Sequence, residues 1–209
     1  MLGSLSRWHR NGRGCMKSGA RRGFTLVELV IAMSITAILV VVAAPNLYDF
    51  ILVQRLKSVN AQLVTDLQYA RAEAAARNQL VLMRFSTNDT LSCYVLYVHD
   101  TPASRVNCDC RTAATSTCPA GASALRTVRL PKSDKVLLRV PGGQATAVGF
   151  DHISGGIRTV TSDFFNQPLG IYRVEAYLDN NRVLRNDLGG SGRVTICSPS
   201  SGVSGAPAC

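Results

Sequence analysis

The feature that most constrains this chain of 209 residues is an apolar run from Phe24 to Ala44 that holds a single charge, Glu28. Arg21-Arg22-Gly23 precede it and Pro45 follows it. As a helix, such a run would reach ~31 Å at ~1.5 Å per residue, enough to cross a bilayer core. A carboxylate in such a segment costs roughly 2.5–3.5 kcal/mol on insertion scales, so Glu28 calls for a specific partner.

Helical periodicity continues past Pro45. Leu52, Leu56, Val59, Leu63, Leu67, Ala70 and Ala74 recur at intervals of three or four, while Gln54, Arg55, Lys57, Gln62, Asp66 and Arg71 fall elsewhere. One helix over 24–78 is expected, apolar in its first half and amphipathic in its second. Pro45 removes one backbone donor and should kink or locally melt it. Ser34 and Thr36 can satisfy themselves on helix carbonyls and receive no function.

After Asn78 the period changes to that of strands. Nine segments read as strands: 80–85, 93–98, 125–130, 136–140, 145–150, 156–161, 171–178, 182–184 and 193–197. Turn chemistry separates them at Asn88-Asp89, at Pro131 to Asp134, at Pro141-Gly142-Gly143, at Ser154-Gly155-Gly156, at Asp179-Asn180-Asn181 and at Gly189 to Gly192. The pattern predicts an α+β fold in which an antiparallel sheet packs on one face of the helix. Residues 100–123, rich in Thr, Ala, Ser and Cys, read as a long surface loop that needs covalent staples to be ordered.

The formal charge of +10 divides unevenly. Of 23 basic residues, six (Arg7, Arg10, Arg13, Lys17, Arg21 and Arg22) precede Phe24 with no acid among them, which leaves 17 bases against 13 acids beyond it. The positive-inside bias holds such a basic segment in the cytoplasm and sends the chain after Pro45 across the membrane. Bulk basicity is therefore no argument for nucleic acid. The seven cysteines agree with export: apart from Cys15, they are Cys93, Cys108, Cys110, Cys118, Cys197 and Cys209, an even set that reads as disulfides. Cys197 with Cys209 closes the tail most simply, and the other four would pair among themselves.

Gly23-Phe24-Thr25-Leu26-Val27-Glu28 and the run behind it resemble the N-terminus of type IV pilins and type II secretion pseudopilins. The resemblance implies a leader, residues 1–23, removed by a prepilin peptidase between Gly23 and Phe24. It also implies N-methylation of the new Phe24 amine, an assembly segment at 24–44, and a kink at Pro45. Glu28 would pair with the terminal amine of a neighbouring pilin inside a filament core. Residues 79–209 would form a disulfide-stapled, β-rich periplasmic domain of a single-pass inner-membrane protein. Within the family, Ala70 to Gln79 and Gly192 to Cys197 look like the FimT/GspH-type minor pilins, which implies a priming or tip subunit of a type IV pilus. The H-type pseudopilin of type II secretion rests on the same physics.

A secretory signal has a shorter apolar region, roughly 7–15 residues, and would not carry Glu28. A plain single-pass anchor would share the length and the basic flank. His99, Cys108, Cys110 and Cys118 lack the paired spacing of a zinc site, so neither metal nor cofactor is expected. Asp151-His152 beside a Gly-Gly turn, without a nucleophile elbow, argues against an enzyme. Pilins of the FimT type can bind DNA through a Gly-Arg-x-Arg tail. Gly192 and Arg193 match it while Thr195 takes the second arginine's place, so Arg182, Arg185 and Arg193 are the candidates for contact with extracellular DNA.

Overall fold

Helix α1 (Leu26–Arg77, 52 residues) is closed at both ends by residues suited to the task. Thr25 supplies the N-cap, its hydroxyl accepting the Glu28 amide at 3.2 Å. At the other end Asn78 takes φ 52°, Gln79 N–H donates to Ala74 O and Asn78 N–H to Ala75 O, the double bond pattern that satisfies the last carbonyls of a helix. The computed structural model describes residues 23–101, 104, 106–112, 117–159 and 170–209, and of Ala44, Pro45 and Thr159 only the backbone. The basic segment before Gly23, with Cys15, lies outside them. Helical backbone continues through position 45, and the side chain of Pro45, to which the expected kink belongs, is also outside the described residues. The chain divides into two units at Ala44–Pro45.

In the first unit, every described side chain between Leu26 and Ala43 is exposed, which leaves the apolar run without cover from its own chain.

The second unit holds nine strands, β1 (Val81–Thr87), β2 (Leu91–His99), β3 (Ala122–Pro131), β4 (Leu137–Arg139), β5 (Ala147–Phe150), β6 (Ile157–Thr159), β7 (Ile171–Tyr177), β8 (Val183–Gly189) and β9 (Val194–Cys197). They form two antiparallel sheets where the sequence suggests one. The first has the order β3-β2-β1-β5-β6 and the second β4-β7-β8-β9. The division falls after β3. A 3-10 turn at Lys132–Asp134 ends on Lys135 at φ 66°, and this left-handed residue turns β4 away from β3 to pair with β7. The sheets stay joined: the Leu138 amide donates to Ser92 Oγ at 2.9 Å, and the Tyr172 hydroxyl donates to Ala145 O at 3.0 Å.

Both sheets bury one face against α1. Leu56, Leu63, Leu67, Ala70 and Ala74 of the helix share a core with Val81, Met83, Tyr94 and Phe150 of the first sheet and Tyr172, Val174 and Leu188 of the second. The opposite face of the first sheet is covered as well. Leu82, Val95 and Tyr97 pack under the insert that carries Cys108, Cys110 and Cys118. That second core explains why the insert is stapled: it has too little apolar surface of its own to stay down.

Candidate functional site

At the start of α1, Phe24 is 82% exposed and Glu28 stands one turn into the helix, on an open groove that it shares with Ala32, Thr36, Ala37 and Val40. Glu28 occupies the third helical position after the Thr25 cap, the place where an acid also favours the positive end of the helix dipole. The acid therefore has a local reason to be there besides any partner. Thr25 is the residue that sequence reasoning passed over, although Thr-x-x-Glu before an apolar run is a capping signature. Among the described residues, nothing pairs with the Glu28 carboxylate.

Two polar helix residues fix how α1 lies on the sheets. Asp66, fully buried, accepts a 2.6 Å hydrogen bond from Tyr94 Oη and lies 2.8 Å from an Arg126 guanidinium nitrogen, at an angle too bent for a hydrogen bond. Burial and then this hydrogen bond push the Tyr94 phenol far above the usual tyrosine range. Asn60 accepts a 2.7 Å hydrogen bond from Asn186 Nδ2 on β8. Sequence periodicity set Asp66 apart from the apolar stripe, yet its position between Leu63 and Ala70 puts it on the packed face.

The disulfides are Cys93–Cys110, Cys108–Cys118 and Cys197–Cys209. Each cysteine of the former zinc candidates is thus bonded to sulfur and has no thiolate to offer, and a ring nitrogen of His99 lies 2.9 Å from Val106 O. At Asp151 the geometry is that of a turn. Ser154 donates both its amide and its hydroxyl to Asp151 Oδ2, and Arg158 stands 3.1 Å from the same oxygen. Burial alone would raise the Asp151 carboxyl, but these donors outweigh it and hold it well below the ordinary carboxylate range. The Ser154 hydroxyl is thus engaged as a hydrogen-bond donor to the carboxylate.

The three arginines proposed for DNA do not form one patch. Arg182 and Arg193 flank opposite ends of β8, roughly 20 Å apart at ~3.3 Å per residue. Arg182 is held by Asp179 at 2.7 Å and by Asp49 of α1 at 3.3 Å. Arg185 contacts Glu175 at 2.9 Å in a cross-strand row where Arg139 takes the other oxygen of that buried acid at 2.7 Å. Arg193 differs: together with Arg71, Gln68 and Val194 it lines a groove beside α1, and no acid pairs with it among the described residues. Gly192 before it has a backbone reason, with φ 78° and no room for a Cβ, which would stand 2.5 Å from Gly155 O.

Comparison with known proteins adds to this geometry. The family model described as "Prokaryotic N-terminal methylation motif" matches residues 19–44, and the one described as "Type II transport protein GspH" matches residues 60–206. No curated protein and no solved structure matches the chain. With a methylation motif on the exposed apolar helix and a family match that spans helix, both sheets and tail, the chain belongs to the GspH family of pilin-like subunits.

Proposed function

We propose that the chain is a minor pilin, a membrane-anchored subunit that enters a type IV pilus filament as a priming or tip subunit. The observation that carries this reading is the uncovered helix Leu26–Ala43, whose single carboxylate lies beside Phe24. An apolar surface of that length needs lipid before assembly and neighbouring helices after it. In this reading a peptidase cleaves after Gly23, the Phe24 amine is methylated, and Glu28 of one subunit meets the amine of the next, so that two charges cancel in an apolar interior. The disulfide-bonded domain would face the periplasm.

The test is Glu28→Gln in cells. The variant is expected to insert in the membrane and lose its leader as before, and to be depleted from sheared filaments by about tenfold or more, as loss of a paired buried charge implies. Wild-type incorporation of that variant, or a mature N-terminus other than Phe24 by mass spectrometry, refutes the reading.

The description of the matched family favours a second assignment, the H-type pseudopilin of type II secretion. Deletion separates the two: loss of twitching motility supports the pilus, and loss of exoprotein release supports secretion.

A further inference from the structure

Three arginines from separate parts of the second unit converge on one cavity of about 320 Å³ at the junction of the sheets. Arg84 comes from β1, Arg139 from β4, and Arg111 from the stapled insert directly after Cys110. Ser86, Thr87 and Thr146 add hydroxyl groups to the wall, while Leu138 and Val140 supply an apolar side. The volume falls in the range of small-molecule sites, which begins at roughly 300 Å³.

The charges around this cavity do not cancel. Arg111 is paired with Asp109 through contacts of 2.6 and 3.0 Å. Arg139 shares the one carboxylate of Glu175 with Arg185. Arg84 is half-buried and has no hydrogen bond or ion pair among the described residues. Among the described residues, Asp109 and Glu175 thus answer four guanidinium groups, those of Arg84, Arg111, Arg139 and the neighbouring Arg185, with two charges. Guanidinium groups that line one cavity and outnumber the acids beside them are stabilised by an anion that takes their remaining donors. The walls are also set in advance: Arg84 lies within the β1–β2 ladder, and the Cys93–Cys110 bond holds the insert that presents Arg111.

We propose that this cavity is a binding site for a small anionic ligand whose carboxylate or phosphate head is gripped by Arg84, Arg111 and Arg139, with its body against Leu138 and Val140. The site is independent of which filament the subunit joins. It also gives the insert a task beyond covering the sheet, because Arg111 reaches the cavity only through the disulfide-held loop.

The experiment is calorimetric titration of the full-length chain in nonionic detergent with inorganic phosphate and, separately, with succinate. Saturable binding of at least one is expected, and the stronger of the two identifies the head group. Arg84→Met is expected to weaken it about tenfold or more and Arg84→Lys by less, since lysine keeps the charge and loses the fork. Should Arg84→Met not fold, the guanidinium NMR resonances of Arg84, Arg111 and Arg139 in the wild-type protein are expected to shift on addition of the better anion. No saturable binding of either anion up to about 10 mM overturns the proposal. So does binding that is unchanged in the variants or leaves those resonances unmoved, and so does affinity for a polyanion such as an oligonucleotide without response to either small anion.

Discussion

Asp66, which has no exposed surface in the middle of the amphipathic half of α1, accepts a 2.6 Å hydrogen bond from the Tyr94 hydroxyl on β2. The contact ties helix to sheet at one register, and Arg126 on the neighbouring strand supplies the countercharge. A slide of the helix by one residue would carry the carboxylate into an apolar surrounding, at a cost of several kcal/mol. The polar pair therefore specifies the docking that the leucine and alanine stripe permits.

Removal of one partner should be costly. Asp66→Ala is expected to lower unfolding stability by about 2–4 kcal/mol, since it strands the Tyr94 hydroxyl and leaves Arg126 without its acid. Tyr94→Phe should cost about 1–2 kcal/mol, and the double variant less than the sum by about 1 kcal/mol. Urea denaturation of the three variants measures this; strict additivity would show that the two side chains are not coupled.

The staples of the insert should matter more for surface than for the main core. Replacement of Cys93 and Cys110 by serine is expected to cost about 2–4 kcal/mol and to release the cover over Leu82, Val95 and Tyr97. Dye binding to newly exposed apolar surface should rise in this variant. The tail variant without Cys197 and Cys209 should lose stability with no such rise.

Stability should fall on the alkaline side. Burial pushes the Tyr97 phenol up to about 12, and burial raises Tyr172 and Tyr94 further still. A folded pKa above the unfolded one means that the contribution is complete below the unfolded value, about 10, and is lost as the pH climbs toward the folded value. The urea midpoint should hold to about pH 9 and decline beyond 10. The tyrosinate absorbance of Tyr94, Tyr97 and Tyr172 should appear only in step with unfolding, and titration of all six tyrosines near 10 in the folded protein would contradict the burial.

The arginines should separate into structural and available groups. Arg185→Gln is expected to cost about 1–3 kcal/mol, because Glu175 keeps only Arg139. Arg193→Gln should leave thermal unfolding within about 0.5 kcal/mol of wild type. If the protein retards DNA in a gel at low salt, Arg71→Gln and Arg193→Gln should abolish the shift. A shift that depends on Arg182 instead would mean that its bonds to Asp179 and Asp49 open on binding.

How much of this was legible differs by element. The apolar run, the amphipathic stripe and the segment positions of nine strands follow from period and turn residues, which are local properties. Asn78 could be read as a stop because few residues other than glycine accept positive φ. The joining of β4 to β7 instead of to β3 was not legible, since it depends on Lys135 adopting a left-handed conformation that nothing in its type demands. The candidate site divides in the same way. Phe24 and Glu28 stand together by sequence, whereas Arg84, Arg111 and Arg139 come from strands and a loop far apart in the chain.

Sequence alone determined the exposed apolar helix with its one acid, the α+β class and the disulfide-ready cysteines, because each depends on spacing along the chain. Tertiary structure alone decided which charges are free. Arg182 and Arg185 resemble Arg193 in type and neighbourhood, yet two are neutralised by acids brought from α1, from the β7–β8 turn and from β7, and one meets no acid among the described residues. Ion pairing depends on distance in space, and only the folded chain sets that distance.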